Sequence, residues 1–309
     1  MSDDEAFLTS LLASLDDEVN TVLNNSTVNV VDKGGDFSIA DIPSSSSDTW
    51  IKLHNVVAVV CDLKGSTHLG TGKYDKSTAR IYKSGVEGAV RILNEFDANF
   101  IDIQGDGGFG LFWGDRAYER AMCAGVTIRT FSGDFVDRLE KRWPDGLPET
   151  GFKVGIHADR TLVKRIGTRR VIAEQEAVWA GRPVNYAAKC AQTADRHQVI
   201  ITQRVWDKLK GNDYIAFSCD CGEGPTASLW TDISVDRLPE HDRDAVVLNV
   251  PWCQKCGPSF CDAIMAGESK RDIPQSVRSA INKMKMQDAL KAKRAREEAR
   301  KTALRGVRR

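Results

Sequence analysis

Apolar residues follow two rhythms along this chain. Val56-Val57-Ala58-Val59-Val60-Cys61 is an uninterrupted apolar run of strand length, which predicts a buried strand. Phe100-Ile101-Asp102-Ile103-Gln104 and Phe109-Gly110-Leu111-Phe112-Trp113 flank Gly105-Asp106-Gly107-Gly108. That pattern predicts a β-hairpin, with the Asp-Gly step and its neighbouring glycines supplying the positive φ of a tight turn. Between these two features Val86, Ala89, Val90 and Leu93 recur at helical spacing, predicting a helical crossover. Pro183 marks the first turn of a further helix, on which Asn185 and Lys189 stand one turn apart on the same face. Near the N-terminus Phe7, Leu8, Leu11, Leu12 and Leu15 predict a short amphipathic helix. A turn-rich stretch ending in Pro43-Ser44-Ser45-Ser46-Ser47-Asp48 reads as a linker.

Composition narrows the classes. The 309 residues are 41% hydrophobic and 28% charged, in the range of a folded globular protein. No apolar run approaches the ~18–20 residues that span a bilayer. Asp3, Asp4 and Glu5 stand where a secretory signal would carry basic residues, so a cytoplasmic protein with eight reduced cysteines is expected. Lysines and arginines balance acids at 43 each, but unevenly along the chain. Residues 1–50 hold ten acids and one lysine, while residues 283–309 hold eleven basic side chains and three acids. The tail contains no aromatic residues to stack on bases, so a solvated helix or a partner for the acidic head is expected rather than a nucleic-acid binder.

Candidate chemistry gathers in the neutral middle. Asp62 follows the buried strand and leads into Leu63-Lys64-Gly65-Ser66-Thr67, placing a carboxylate beside turn amides. An acid can hold a cation there while backbone N–H groups cradle a phosphate. Asp106 stands at the hairpin tip. Either acid alone is equally an ordinary cap or turn residue. Two acids on neighbouring strands, joined by a helical crossover, can form a two-metal clamp for phosphoryl chemistry. An amide at Asn185 and an ammonium at Lys189 suit a ribose and a phosphate, although an exposed polar helix face has the same pattern.

Taken in order, these segments resemble the class III nucleotidyl cyclase catalytic domain. The matching signatures are Asp62-Leu63-x-Gly65-Ser66-Thr67, Gly105-Asp106-Gly107, Val154-Gly155-Ile156-His157 and Gly181-x-x-Val184-Asn185-x-Ala187-Ala188-Lys189, spread over about residues 50–210. The resemblance implies an α+β fold with a ferredoxin-like sheet and covering helices. It implies a homodimer with active sites at the interface and a nucleoside triphosphate substrate. Asp62, Asp106 and the Leu63 carbonyl would bind two divalent cations, Mn²⁺ or Mg²⁺. The partner chain would contribute Asn185 to orient the ribose and Lys189 to stabilise the transition state, with Lys64, Gly65, Ser66 and Thr67 at the phosphates.

Departures from the family pattern carry information. Lys189 replaces the usual arginine, giving a point charge without a bidentate fork. Arg160 replaces a glycine, so a remodelled exit from that strand is expected. Where purine cyclases carry their base readers, this chain has Asp102 and Val178, which is neither standard purine pair. The chain looks like the pyrimidine cyclases of bacterial Pycsar anti-phage defence. That resemblance implies conversion of UTP to 3′,5′-cyclic UMP and pyrophosphate as a second messenger. A cytidylate or adenylate cyclase and a catalytically inactive nucleotide-binding module are the alternatives.

Cys219-Asp220-Cys221 and Cys253-Gln254-Lys255-Cys256 form a candidate structural zinc site, against reduced thiols in a small domain. The expected organisation is an acidic helix and linker over 1–49, the cyclase domain over 50–212, a cysteine-containing segment over 213–272 and a basic helical tail over 273–309.

Overall fold

The computed structural model describes residues 3–168, 171–219, 229–248, 250 and 252–272, together with Ser279, Lys283, Met286 and Leu290. Most of the basic tail and Cys221 therefore lie outside the described residues. Contacts divide the chain into two units, residues 1–54 with 160–181 and residues 55–159 with 182–309.

The first unit begins with helix α1 (Asp3–Asn20). Its predicted apolar stripe is present but uncovered, and Phe7 is 70% exposed. Strand β1 (Asn29–Lys33) pairs in parallel with the first residues of β2 (Thr49–Lys64), Asn29 opposite Thr49 and Lys33 opposite Leu53. Asp32 ties this pair together through Lys52 at 3.1 Å and His54 Nε2 at 2.7 Å.

The second unit takes up β2 from Asn55. The buried run predicted for 56–61 is part of a longer strand that continues to Lys64, so Asp62 lies within β2 rather than beyond its end. The chain then forms helices α2 (Ser66–Leu69) and α3 (Asp75–Glu95), strands β3 (Phe100–Gln104) and β4 (Gly107–Phe112), helix α4 (Ala117–Arg142) and strand β5 (Gly151–Gly167). On α3 the buried residues Ile81, Gly85, Ala89 and Leu93 fall four apart, the inward stripe of an amphipathic helix. From β2 to β5 the succession is β-α-β-β-α-β apart from the single-turn α2, and the strands lie in the order β3-β4-β2-β5. This is the ferredoxin-like arrangement expected from the sequence.

Helix α5 (Arg182–Thr193) leads into β7 (Gln198–Thr202), which pairs with β5 in parallel, Lys153 opposite Gln198. The chain continues through α6 (Gln203–Leu209), α7 (Asp213–Ala216), β8 (Trp230–Ser234), β9 (Asp244–Leu248) and α8 (Gly257–Ala266). β9 pairs with β7 and β8 with β9, both antiparallel, so the segment after residue 212 extends the same sheet. Side chains alternate across the strands. Val199 and Ile201 of β7, with Val57 and Val59 of β2, face a core shared with α3 and α4. Ile200 faces the opposite core with Tyr186 and Cys190 of α5.

Beyond Asp159 strand β5 belongs to the first unit. There it runs on through Arg160 and pairs with β6 (Gln175–Gly181), Thr161 opposite Gly181. No helix among the described residues is long and apolar enough to cross a membrane.

Candidate active site

The alternation of β2 places Cys61 and Leu63 in the core, leaving Asp62 and Lys64 on the other face. β4 lies antiparallel to β2 with Gly108 opposite Cys61, and the β3–β4 hairpin closes through Gly105-Asp106 alone. Of the glycines around the turn, Gly105 supplies the positive φ (64°), as the first central residue. Gly107 serves a different purpose. A Cβ there would lie 2.2 Å from the Cys61 carbonyl oxygen and 3.1 Å from the Asp62 Cα. Absence of a side chain thus lets the hairpin tip settle directly against the Asp62 backbone, and Asp106 arrives one residue away. The register thus brings the backbone of the two acids together.

Electrostatics agree. Burial pushes the Cys61 thiol up to about 12, and both Asp62 and Asp106 reinforce the shift, so both carboxylates act on one point. Asp106 Oδ2 is buried without a hydrogen-bond partner. A buried carboxylate oxygen is costly unless a cation or donor completes it. Two carboxylates with the neighbouring Leu63 carbonyl are hard oxygen donors of the type Mg²⁺ and Mn²⁺ take, so the residues present fit the expected ions.

Asp62 also has a protein cation. Lys153 of β5, only 16% exposed, places Nζ 2.5 Å from Asp62 Oδ2. Lys64 is held at 2.5 Å by Asp195 and at 2.9 Å by Glu149, and these two carboxylates raise its pKa. Sequence reasoning finds none of Lys153, Glu149 or Asp195. The one available signal is Lys153 itself, a charge between buried Phe152 and Val154. Gly65 precedes the single turn of α2, whose first amides at Ser66 and Thr67 have no acceptor within the helix.

α5 carries the third group. Gly155 allows its approach, because a Cβ there would lie 1.9 Å from the Ala187 carbonyl oxygen and 2.4 Å from the Ala191 nitrogen. The helix therefore rests on the backbone of β5. Pro183, Tyr186, Ala187, Cys190 and Ala191 form its buried side, leaving Asn185 exposed and Lys189 half-buried. Lys189 Nζ lies 5.5 Å from the Tyr186 ring centroid, and the Tyr186 hydroxyl donates to Asp242 at 3.1 Å. His157 packs against the same ring at 4.8 Å, with Nδ1 2.9 Å from the Thr202 hydroxyl.

Of the two reader positions, Asp102 lies on β3 opposite Phe109 and accepts a hydrogen bond from Gln104 Nε2 at 3.0 Å. It borders a small recess whose lining includes Cys61, Val90, Ile101 and Gly108. Val178 lies in the first unit, on β6 opposite Lys164, and is 39% exposed. Of the four candidate zinc ligands, Cys219, Cys253 and Cys256 are brought together. Cys221 lies outside the described residues.

No family model matches the chain. Among solved structures, the adenylyl cyclase CyaB from P. aeruginosa superposes with a TM-score of 0.52 at 14% identity, covering 66% of this chain and 97% of that one. At such low identity the likeness concerns the fold. With the strand order, it gives this chain the fold of a nucleotidyl cyclase domain. Curated relatives give the family. The uridylate cyclase of Propioniciclava tarda is 78% identical over 308 residues, spanning 100% of both chains. That of Micromonospora echinofusca is 48% identical over 281 residues, 90% of each chain. This chain belongs to the uridylate cyclase family.

Proposed function

We propose that the protein is a homodimeric cyclase that converts UTP to 3′,5′-cyclic UMP and pyrophosphate. The ribose 3′ oxygen bonds to the α-phosphorus in line while the bond to pyrophosphate breaks. Asp62, Asp106 and the Leu63 carbonyl would hold two divalent cations, Mn²⁺ or Mg²⁺, which would lower the pKa of the attacking hydroxyl and offset phosphate charge. Lys153 keeps the Asp62 carboxylate aimed and partly neutralised. Gly65, Ser66 and Thr67 present backbone amides to the phosphates. Lys64, paired with Glu149 and Asp195, fixes the end of β2 beside them. Asn185 of the second protomer orients the ribose, and its Lys189 places a positive charge at the reacting phosphate.

Full-length identity of 78% to a uridylate cyclase carries the uracil assignment. Asp102 and Val178 fit it by removing the standard purine readers. A cytoplasmic signalling role in anti-phage defence rests on the likeness to pyrimidine cyclases of that system. The test is to incubate the protein with ATP, GTP, CTP, UTP and manganese and identify the product by mass. Cyclic UMP is expected. Cyclic CMP or cyclic AMP as the main product overturns the uracil assignment, and no cyclic product from any nucleotide overturns the cyclase reading.

A further inference from the structure

A second cluster of ligand-type side chains lies apart from the nucleotide chemistry, where the chain leaves α7 and enters α8. We infer that Cys219, Cys253 and Cys256 form a structural zinc site that clips these two segments together. Their sulfurs all lie within 4.8 Å of one another, and each residue is half-buried. A tetrahedral zinc with Zn–S bonds of about 2.3 Å requires sulfur–sulfur edges of about 3.8 Å. The three thiols thus need a contraction of no more than about 1 Å to fill three corners.

The backbone around them has the corresponding form. The Cys253 carbonyl accepts from the Cys256 amide at 3.1 Å and the Gly257 amide at 2.7 Å, folding the Cys-x-x-Cys segment into a tight turn. Cys256 caps the N-terminus of α8, where the helix field favours a thiolate. Cys219 follows α7 in a segment whose carbonyls are bound by Arg271. That guanidinium donates to the carbonyls of Asp213 at 3.3 Å, Phe217 at 2.8 Å and Ser218, while lying 4.6 Å over the Phe260 ring of α8. Its charge acts on both Cys219 and Cys256. Arg271 therefore links the two ligand-bearing segments and offsets the negative charge that several thiolates leave on a divalent ion.

Soft thiolates without imidazole or carboxylate select zinc over the hard cations of the nucleotide site. Binding deprotonates the thiols and releases their protons to solvent. Cys261, also on α8, is not part of the cluster: its thiol is hydrogen-bonded to that of Cys123 instead.

The full chain, purified with reductant from zinc-supplemented cells, is analysed by elemental mass spectrometry and then refolded or exchanged with Co²⁺. About one zinc per chain is expected. Co²⁺ should give a near-ultraviolet thiolate charge-transfer band and the visible bands of a tetrahedral site. Cys219→Ser and Cys253→Ser should lose the zinc, and Cys261→Ala should keep it. Wild-type protein holding less than about a tenth of an equivalent of zinc, or a Co²⁺ form without the charge-transfer band, overturns the site. Full zinc retention in Cys219→Ser does so as well. If a serine variant does not fold, the Co²⁺ spectrum of the wild type decides alone. None of these readouts depends on nucleotide turnover.

Discussion

Gly107→Ala is the most direct way to separate the two acids without touching either. A new methyl carbon would meet the Cys61 carbonyl oxygen at 2.2 Å, and the obstacle is backbone rather than a movable side chain. Carbon–oxygen approaches settle at about 3.3–3.6 Å, so the strands must part locally by about 1 Å. The parting falls beside the Cys61–Gly108 pair, which sets Asp106 next to Asp62. Overpacking of this kind costs about 1–3 kcal/mol of stability. Its effect on turnover should be larger, because about 1 Å of misplacement in a reacting constellation costs on the order of 100-fold. The assay is kcat/KM for UTP by pyrophosphate release at saturating manganese, with circular dichroism to establish folding. A folded variant within about 3-fold of wild type would refute the reasoning, since a mere destabilisation leaves kcat/KM of the folded fraction intact.

Four further outcomes follow from the same geometry. Asp62→Ala and Asp106→Ala should each lower pyrophosphate release by on the order of 1000-fold, the equivalent of several kcal/mol of lost charge stabilisation; near-normal release from either removes it from the site. Asn185→Ala mixed and re-associated with Asp62→Ala should recover about a quarter of wild-type activity through sites built from both chains, whereas no recovery argues against sharing across a symmetric dimer. Gly133→Ala, on α4 with open space around the added methyl, should raise stability by up to about 1 kcal/mol in denaturant melts. Finally, burial lowers the pKa of His157 to about 4. The folded state then binds fewer protons than the unfolded chain, so stability present above pH ~6.5 is lost as pH falls toward 4, by on the order of 3 kcal/mol. Urea melts at several pH values should show that slope reduced in His157→Gln.

Features encoded locally were legible in the sequence. The Val56–Cys61 run announced a buried strand, the glycines around Asp106 a tight hairpin, and Pro183 the start of α5. Even there the division of labour between Gly105 and Gly107 was hidden, because a close backbone approach leaves the same letter as a positive φ. The rest depended on sheet order. Lys153 meets Asp62 only because β5 lies beside β2, and nothing in the intervening sequence encodes that adjacency. Lys64 looked available for phosphate because its partners, Glu149 and Asp195, come from distant segments. Beyond residue 212 the short apolar run Ala245-Val246-Val247-Leu248 joins the sheet as β9, a pairing with β7 that no local pattern encodes. Likewise nothing near Arg160 encodes the continuation of β5 into its pairing with β6.

The seating of α5 has a mechanical implication. With Gly155 beneath it, helix and strand meet main chain to main chain, and no layer of rotatable groups lies between them to absorb a misfit. Any displacement of β5 there is handed on undiminished to Asn185 and Lys189. A side chain introduced at Gly155 would therefore tilt the entire exposed face of α5 at once.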